Sequence, residues 1–147
     1  MCPPNLISLD EFRKALALYS KGILIQVETD LDSRDKAKRD LDERLCSDLD
    51  SRSAKWKLKL HRIVNEIETL AFKQGGYLAA GFIGGDCALC ERCVAIKGET
   101  NCRFPFKARP SMEAMGIDVI KTCSKAGMPI YLSSPRRVRW TGLVLVE

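Results

Sequence analysis

Four of the seven cysteines fall within sixteen residues: Cys87-Ala88-Leu89-Cys90-Glu91-Arg92-Cys93, then Cys102, a spacing of C-x2-C-x2-C-x8-C. Thiols packed this densely oxidise and mispair if left free, so such a cluster points to metal ligation. It also constrains the fold. The stretch must be delivered as a short irregular loop, anchored at both ends by regular elements. Seven is an odd number, and the N-terminus, Met1-Cys2-Pro3-Pro4-Asn5, has neither a basic nor an apolar signal region. A disulfide framework is therefore the weakest reading.

The spacing discriminates between metals. Bacterial ferredoxins hold a cubane through C-x2-C-x2-C and a remote fourth cysteine followed by proline. Cys102 fills that place here, with Pro105 three residues on. Structural zinc sites more commonly use two separated C-x2-C pairs. The expected cofactor is a [4Fe-4S] cluster held by Cys87, Cys90, Cys93 and Cys102, with zinc as the alternative. Arg92, Arg103, Lys107 and Arg109 lie within or beside the loop and are expected to complement an anionic cluster. The N-terminus of a helix after Pro110 would add unpaired N–H groups. Gly84 and Gly85 either allow N–H···S bonds or only turn the chain. Cys123 is expected to pack as a small hydrophobe, and Cys46 to be incidental. Cys2 is a remote ligand or the stub of another site.

Composition sets the frame. The 147 residues suffice for one domain, 1–147, with a core of its own. The hydrophobic share of 46% and charged share of 29% are those of an ordinary globular chain. No apolar run approaches the roughly 18–20 residues that span a bilayer. The expectation is a cytoplasmic protein with no membrane partner. The net charge of +5 is mild, and its excess lies in the second half, notably Lys97 to Lys107 and Arg136-Arg137-Val138-Arg139. This reads as a solvated surface or as a docking patch for an acidic, redox-active protein. Without interleaved aromatics it does not read as a nucleic-acid surface.

Periodicity predicts an α+β fold, a three- to four-stranded sheet packed with helices. Ser8 and Glu11 form a capping box for a helix over Leu9 to Tyr19, ended by Gly22. Ile23 to Glu28 reads as a strand. Residues 30–53 mix both charges with leucines every fourth residue, which fits a solvated helix or a mobile charged insertion. A long helix follows, capped at Ser51 or Ser53, with Trp56, Leu60, Ile63, Val64, Ile67, Leu70 and Ala71 on one face and His61 at its edge. Tyr77 to Ile83 is a core strand that delivers the chain into the cysteine loop. Beyond the loop, Met112 to Lys125 reads as a helix, and Met128 to Leu132 and Thr141 to Val146 as strands.

Cys87 to Cys93, Cys102-Arg103 and the string Arg109-Pro110-Ser111-Met112-Glu113-Ala114-Met115-Gly116-Ile117-Asp118-Val119 resemble the uncharacterised, cysteine-rich "predicted metal-binding protein" family of anaerobic bacteria and archaea. The resemblance extends upstream through Tyr19 to Gln26 and Leu60 to Phe82. It implies an iron–sulfur or other metal site at Cys87, Cys90, Cys93 and Cys102, and brings no established activity. Members usually carry a further cysteine group upstream, ending in a Cys-Pro-Pro element that Cys2-Pro3-Pro4 resembles. The resemblance thus implies a shortened member or one with a single cluster.

Three functions fit these readings. The first is an electron-transfer or redox accessory module, since four thiolates saturate a cubane. The second is an iron–sulfur enzyme, for instance in sulfur transfer, with an open iron, Cys102 as nucleophile, and Glu113 or Asp118 in acid–base work. Both carboxylates also suit plain helix-terminus roles. The third is a zinc-stabilised interaction domain. No phosphate-binding glycine loop, nucleophile elbow or zinc-protease motif is present.

Overall fold

The computed structural model describes residues 6–30, 44–95, 101–130 and 137–147, without the side chains of 30, 44–53 and 137. Helix α1 spans Leu9–Leu16, and its start is the expected capping box. Glu11 N–H donates to Ser8 Oγ at 3.2 Å while Ser8 N–H donates to Glu11 Oε2 at 2.9 Å. The helix stops short of Tyr19 because its last turn tightens, with Ala17 N–H bonding Lys14 O. Ser20 N–H then bonds Val146 O at 3.0 Å and feeds the chain into strand β1, Lys21–Asp30. Gly22 lies inside this strand rather than ending the helix.

Helix α2 spans Arg44–Lys73. It runs without a break through Ser51 and Ser53, so neither caps it. The charged segment and the apolar-faced helix are one element from Arg44 onward, and residues 31–43 lie outside the described residues. Strand β2, Ala79–Phe82, precedes the cysteine loop. After it come a 3-10 turn at Glu113–Met115, helix α3 at Val119–Lys125, and strand β3 at Arg137–Val146. The single helix expected over Met112 to Lys125 is split by Gly116, whose φ of 71° ends the 3-10 turn. Asp118 restarts it as N-cap, accepting from Lys121 N–H at 2.9 Å.

The sheet is antiparallel in the order β1-β3-β2. Its central strand is the last one, pairing with β1 from Lys21↔Val146 to Asp30↔Arg137 and with β2 from Ala79↔Val146 to Phe82↔Leu143. Of the strand expected over Met128 to Leu132, Met128–Ile130 are irregular, and Tyr131 and Leu132 lie outside the described residues. Two of its carbonyls are taken by side chains: Gln26 Nε2 donates to Met128 O at 2.9 Å, and Arg139 Nη1 to Pro129 O at 2.7 Å.

Both faces of β3 are buried, as its Leu143-Val144-Leu145-Val146 run demands. On one face Leu60 and Val64 of α2 pack on Val27, Ile83 and Val144. On the other Phe12, Met112 and Met115 pack on Phe82 and Leu143. Cys123 is fully buried, with its Sγ 3.9 Å from Thr141 Oγ1, and packs as expected. The architecture is α+β, with the cysteines between a strand and a helix.

Candidate metal centre

The loop that carries the cysteines is closed at its base. Ile83 N–H donates to Pro110 O at 3.0 Å and Met112 N–H to Ile83 O at 2.8 Å, which makes a parallel bridge between Ile83 and Ser111. The two ends of the loop, after Ile83 and at Pro110, therefore meet at one point. Gly84 is packed hard against β3: a Cβ there would stand 2.4 Å from Thr141 O, inside any allowed contact. Gly85 adopts φ 70° beside the Trp140 ring, and its N–H is given to Glu113 Oε2 at 3.4 Å. These glycines serve packing and turning, and the Gly85 N–H is engaged with a carboxylate rather than a sulfur.

Helix α2 grips the loop on both shores through a row of polar residues. Lys57, nearly buried, pairs with Asp86 next to Cys87, and its Nζ lies 5.1 Å from the Trp140 ring centroid. Hydrogen bonding to that ammonium holds the Asp86 carboxyl below the usual carboxylate range. On the far shore His61 Nε2 lies 2.8 Å from Lys107 O, and Asn65 Nδ2 donates to the same carbonyl at 3.1 Å. Glu68 pairs with Arg109 (Nε to Oε2 2.7 Å) and accepts from Gly81 N–H at 3.1 Å. Arg109 Nη1 is shared between Phe106 O and Ala108 O.

Lys57, His61, Asn65 and Glu68 recur at helical spacing and form one stripe. Reading α2 only for apolar periodicity misses it, although the spacing was available. His61 itself is buried rather than at the helix edge.

His61 is the chain's single histidine. Burial holds its imidazole below the ordinary value of about 6.5. Unfolding releases it, so below about pH 6.5 the unfolded chain binds more protons than the folded one, and stability declines as pH falls. The melting temperature should drop between about pH 7.5 and about pH 5. The drop should be shallower in His61→Gln, whose amide still donates to Lys107 O. Equal slopes in the two chains would contradict this role.

The four predicted ligands all lie on this one loop, and none is in a disulfide. Cys87, Cys90 and Cys102 are partly covered and Cys93 is exposed. Cys87 packs beside the core that α2 shares with the sheet. Cys102 Sγ accepts an N–H···S bond from Phe104 at 3.4 Å, the contact that steadies a thiolate ligand. The donor chemistry fits a thiolate-bound metal or cluster. Among the described residues, however, no three His, Cys, Asp or Glu side chains are gathered into a group that would hold a metal ion. Cys46 lies on the α2 backbone with its side chain outside the described residues, and Cys2 also lies outside them.

Two expected supports are otherwise engaged. The Arg109 guanidinium is committed to Glu68 and to carbonyls. In the turn after Pro110, Met112 N–H and Ala114 N–H are taken by Ile83 O and Ser111 Oγ. Arg92 and Arg103 are exposed and, among the described residues, make no ion pair. No described helix is long and apolar enough to cross a membrane.

The fold and loop define a small α+β domain built around a cysteine-rich crossover. A family model described as "predicted metal-binding protein (DUF2284)" matches residues 1–146, and the chain belongs to that family. No curated protein and no solved structure matches it.

Proposed function

We propose that this protein holds a [4Fe-4S] cluster through Cys87, Cys90, Cys93 and Cys102 and works as an electron-transfer or redox accessory module. One observation carries the reading. The loop bearing all four thiols is closed at its base and fastened near both ends to a single helix face, so the segments that carry the cysteine triple and Cys102 are anchored to one helix. Such a cluster, when bound, supplies one-electron redox chemistry. The chain's own contribution is to fix the loop ends, to hold the Cys102 sulfur by the Phe104 N–H, and to set the charge around the site with Arg92, Arg103 and the Lys57–Asp86 pair.

The family is described as predicted metal-binding proteins. Iron–sulfur ligation and electron transfer are the finer step, supported by the triple spacing and by the absence of a second, separate C-x2-C pair in the loop. Cys102→Ala tests the least constrained ligand. Cys102 as fourth ligand predicts a lower iron content and an altered EPR spectrum of the reduced protein. Unchanged iron and an unchanged spectrum would instead favour an open-iron enzyme in which Cys102 is free to act as a nucleophile.

A further inference from the structure

We propose that the groove between α2 and the far shore of the cysteine loop docks an acidic protein partner, one that presents carboxylates around an apolar side chain. This deepens the redox reading and rests on it for the purpose of docking. The groove has a volume of about 770 Å³ and runs from Leu58 to Lys73 along α2, with Leu89, Phe106 and Lys107 as its opposite wall. Arg62, Lys73 and Lys107 line it, and among the described residues none of the three makes an ion pair. Among the described residues of the lining, Glu66 is the only carboxylate. Arg109 also lines it, but its charge is met by Glu68.

The apolar part of the groove is unusually open. Phe106 is 92% exposed and Leu70 53%. An aromatic side chain held at the surface beside a cleft is the kind of anchor that interface cores cover. Three unmatched cations around it set the sign of the partner, because complementary charge steers association and selects against like-charged surfaces. The position ties the groove to the metal centre. Leu89 lies between Cys87 and Cys90, and Phe106 and Lys107 follow Cys102, so a partner seated here touches both halves of the ligand loop. Nucleic acid is the poorer fit, since a strand-binding surface repeats aromatics along a basic track and, among the described residues, Phe106 is the one aromatic lining this groove.

The test uses the full chain purified under argon with the metal it carries. Its probes are labelled synthetic peptides read by fluorescence anisotropy: an acidic amphipathic peptide of Glu, Asp and Leu, the same peptide with serine for leucine, and a single-stranded oligonucleotide. The leucine-bearing acidic peptide should bind best. Its affinity should fall about tenfold or more in Arg62→Glu/Lys73→Glu/Lys107→Glu, and fall also in Phe106→Ser. It should change little in Lys14→Glu/Lys21→Glu/Lys125→Glu, which removes the same charge from exposed positions outside the groove. Equal losses in the two triple variants would reduce the effect to general attraction and overturn the proposal. So would equal binding of the serine peptide, or tighter binding of the oligonucleotide in the groove. Metal content measured on the same samples separates the two readings: docking can fail with the centre intact, and the centre can fail with the docking contrast intact.

Discussion

Cys90→Ser is expected to strip the metal centre, lowering iron from about four atoms per chain to well under one when the protein is prepared without oxygen. Cys90 is the middle member of the triple, so its loss leaves no two of the remaining triple cysteines at the two-residue spacing. Serine is a hard, weakly acidic oxygen donor and a poor substitute for a thiolate on iron. Cys123→Ser is the matched control. That thiol, on helix α3 and outside the cysteine loop in sequence, is fully buried against Thr141, and its replacement should leave the iron count unchanged. Full iron in Cys90→Ser, or loss of iron in Cys123→Ser, would show that the ligand set is wrongly drawn. Because metal binding to a preformed loop stabilises the folded chain, the serine variant should also melt lower than the wild type.

The second large effect falls on Arg109. Its guanidinium and the Glu68 carboxylate are mostly buried, and each also bonds backbone groups that hold the loop base. Arg109→Met leaves Glu68 as a nearly buried, uncompensated charge, which costs about 3–5 kcal/mol. For a chain of this size that is a fall in melting temperature of roughly 6–20 °C. The double variant Glu68→Met/Arg109→Met should recover part of the loss, because no lone charge then remains. Thermal denaturation of the three chains measures this directly. An Arg109→Met chain as stable as wild type, or a double variant less stable than the sum of the singles, would contradict a structural role for the pair. The same result would return Arg109 to the role of a free cation beside the cluster.

Local signals in the sequence translated well. The Ser8–Glu11 capping box, the β-branched run from Ile23 to Val27, and the Leu60–Val64 stripe each act over a few residues, where propensity and hydrogen bonding decide the outcome. The cysteine loop was legible for the same reason, as Gly84-Gly85 must end a strand and the spacing lies within one turn-rich stretch. What escaped is non-local. That β3 is the central strand depends on pairing Lys21 with Val146, at opposite ends of the chain, and no window of sequence reveals it.

The described part of the expected third strand, Met128–Ile130, is irregular, and Gln26 and Arg139, both remote in sequence, claim the Met128 and Pro129 carbonyls. The helix expected over Met112 to Lys125 fails more locally. Gly116 and Asp118 are a stop and a start in succession, and both could have been recognised as such. The candidate site divides along the same line. Its cysteines were visible as a motif. The residues of α2 that hold the loop were not, because Lys57 finds Asp86 and Glu68 finds Arg109 only once the helix is laid across the sheet. Arg109, placed by sequence proximity beside a cluster, is instead the anchor of the loop base.

We propose that this loop carries an iron–sulfur cluster. Iron, acid-labile sulfide and zinc counted on the wild-type chain, purified without oxygen and read together with its Mössbauer spectrum, decide it. The expected outcome is a brown protein with about four irons and about four sulfides per chain and the spectrum of a cubane. A colourless protein carrying about one zinc and no sulfide would contradict it, leaving a metal-stabilised domain with no redox chemistry.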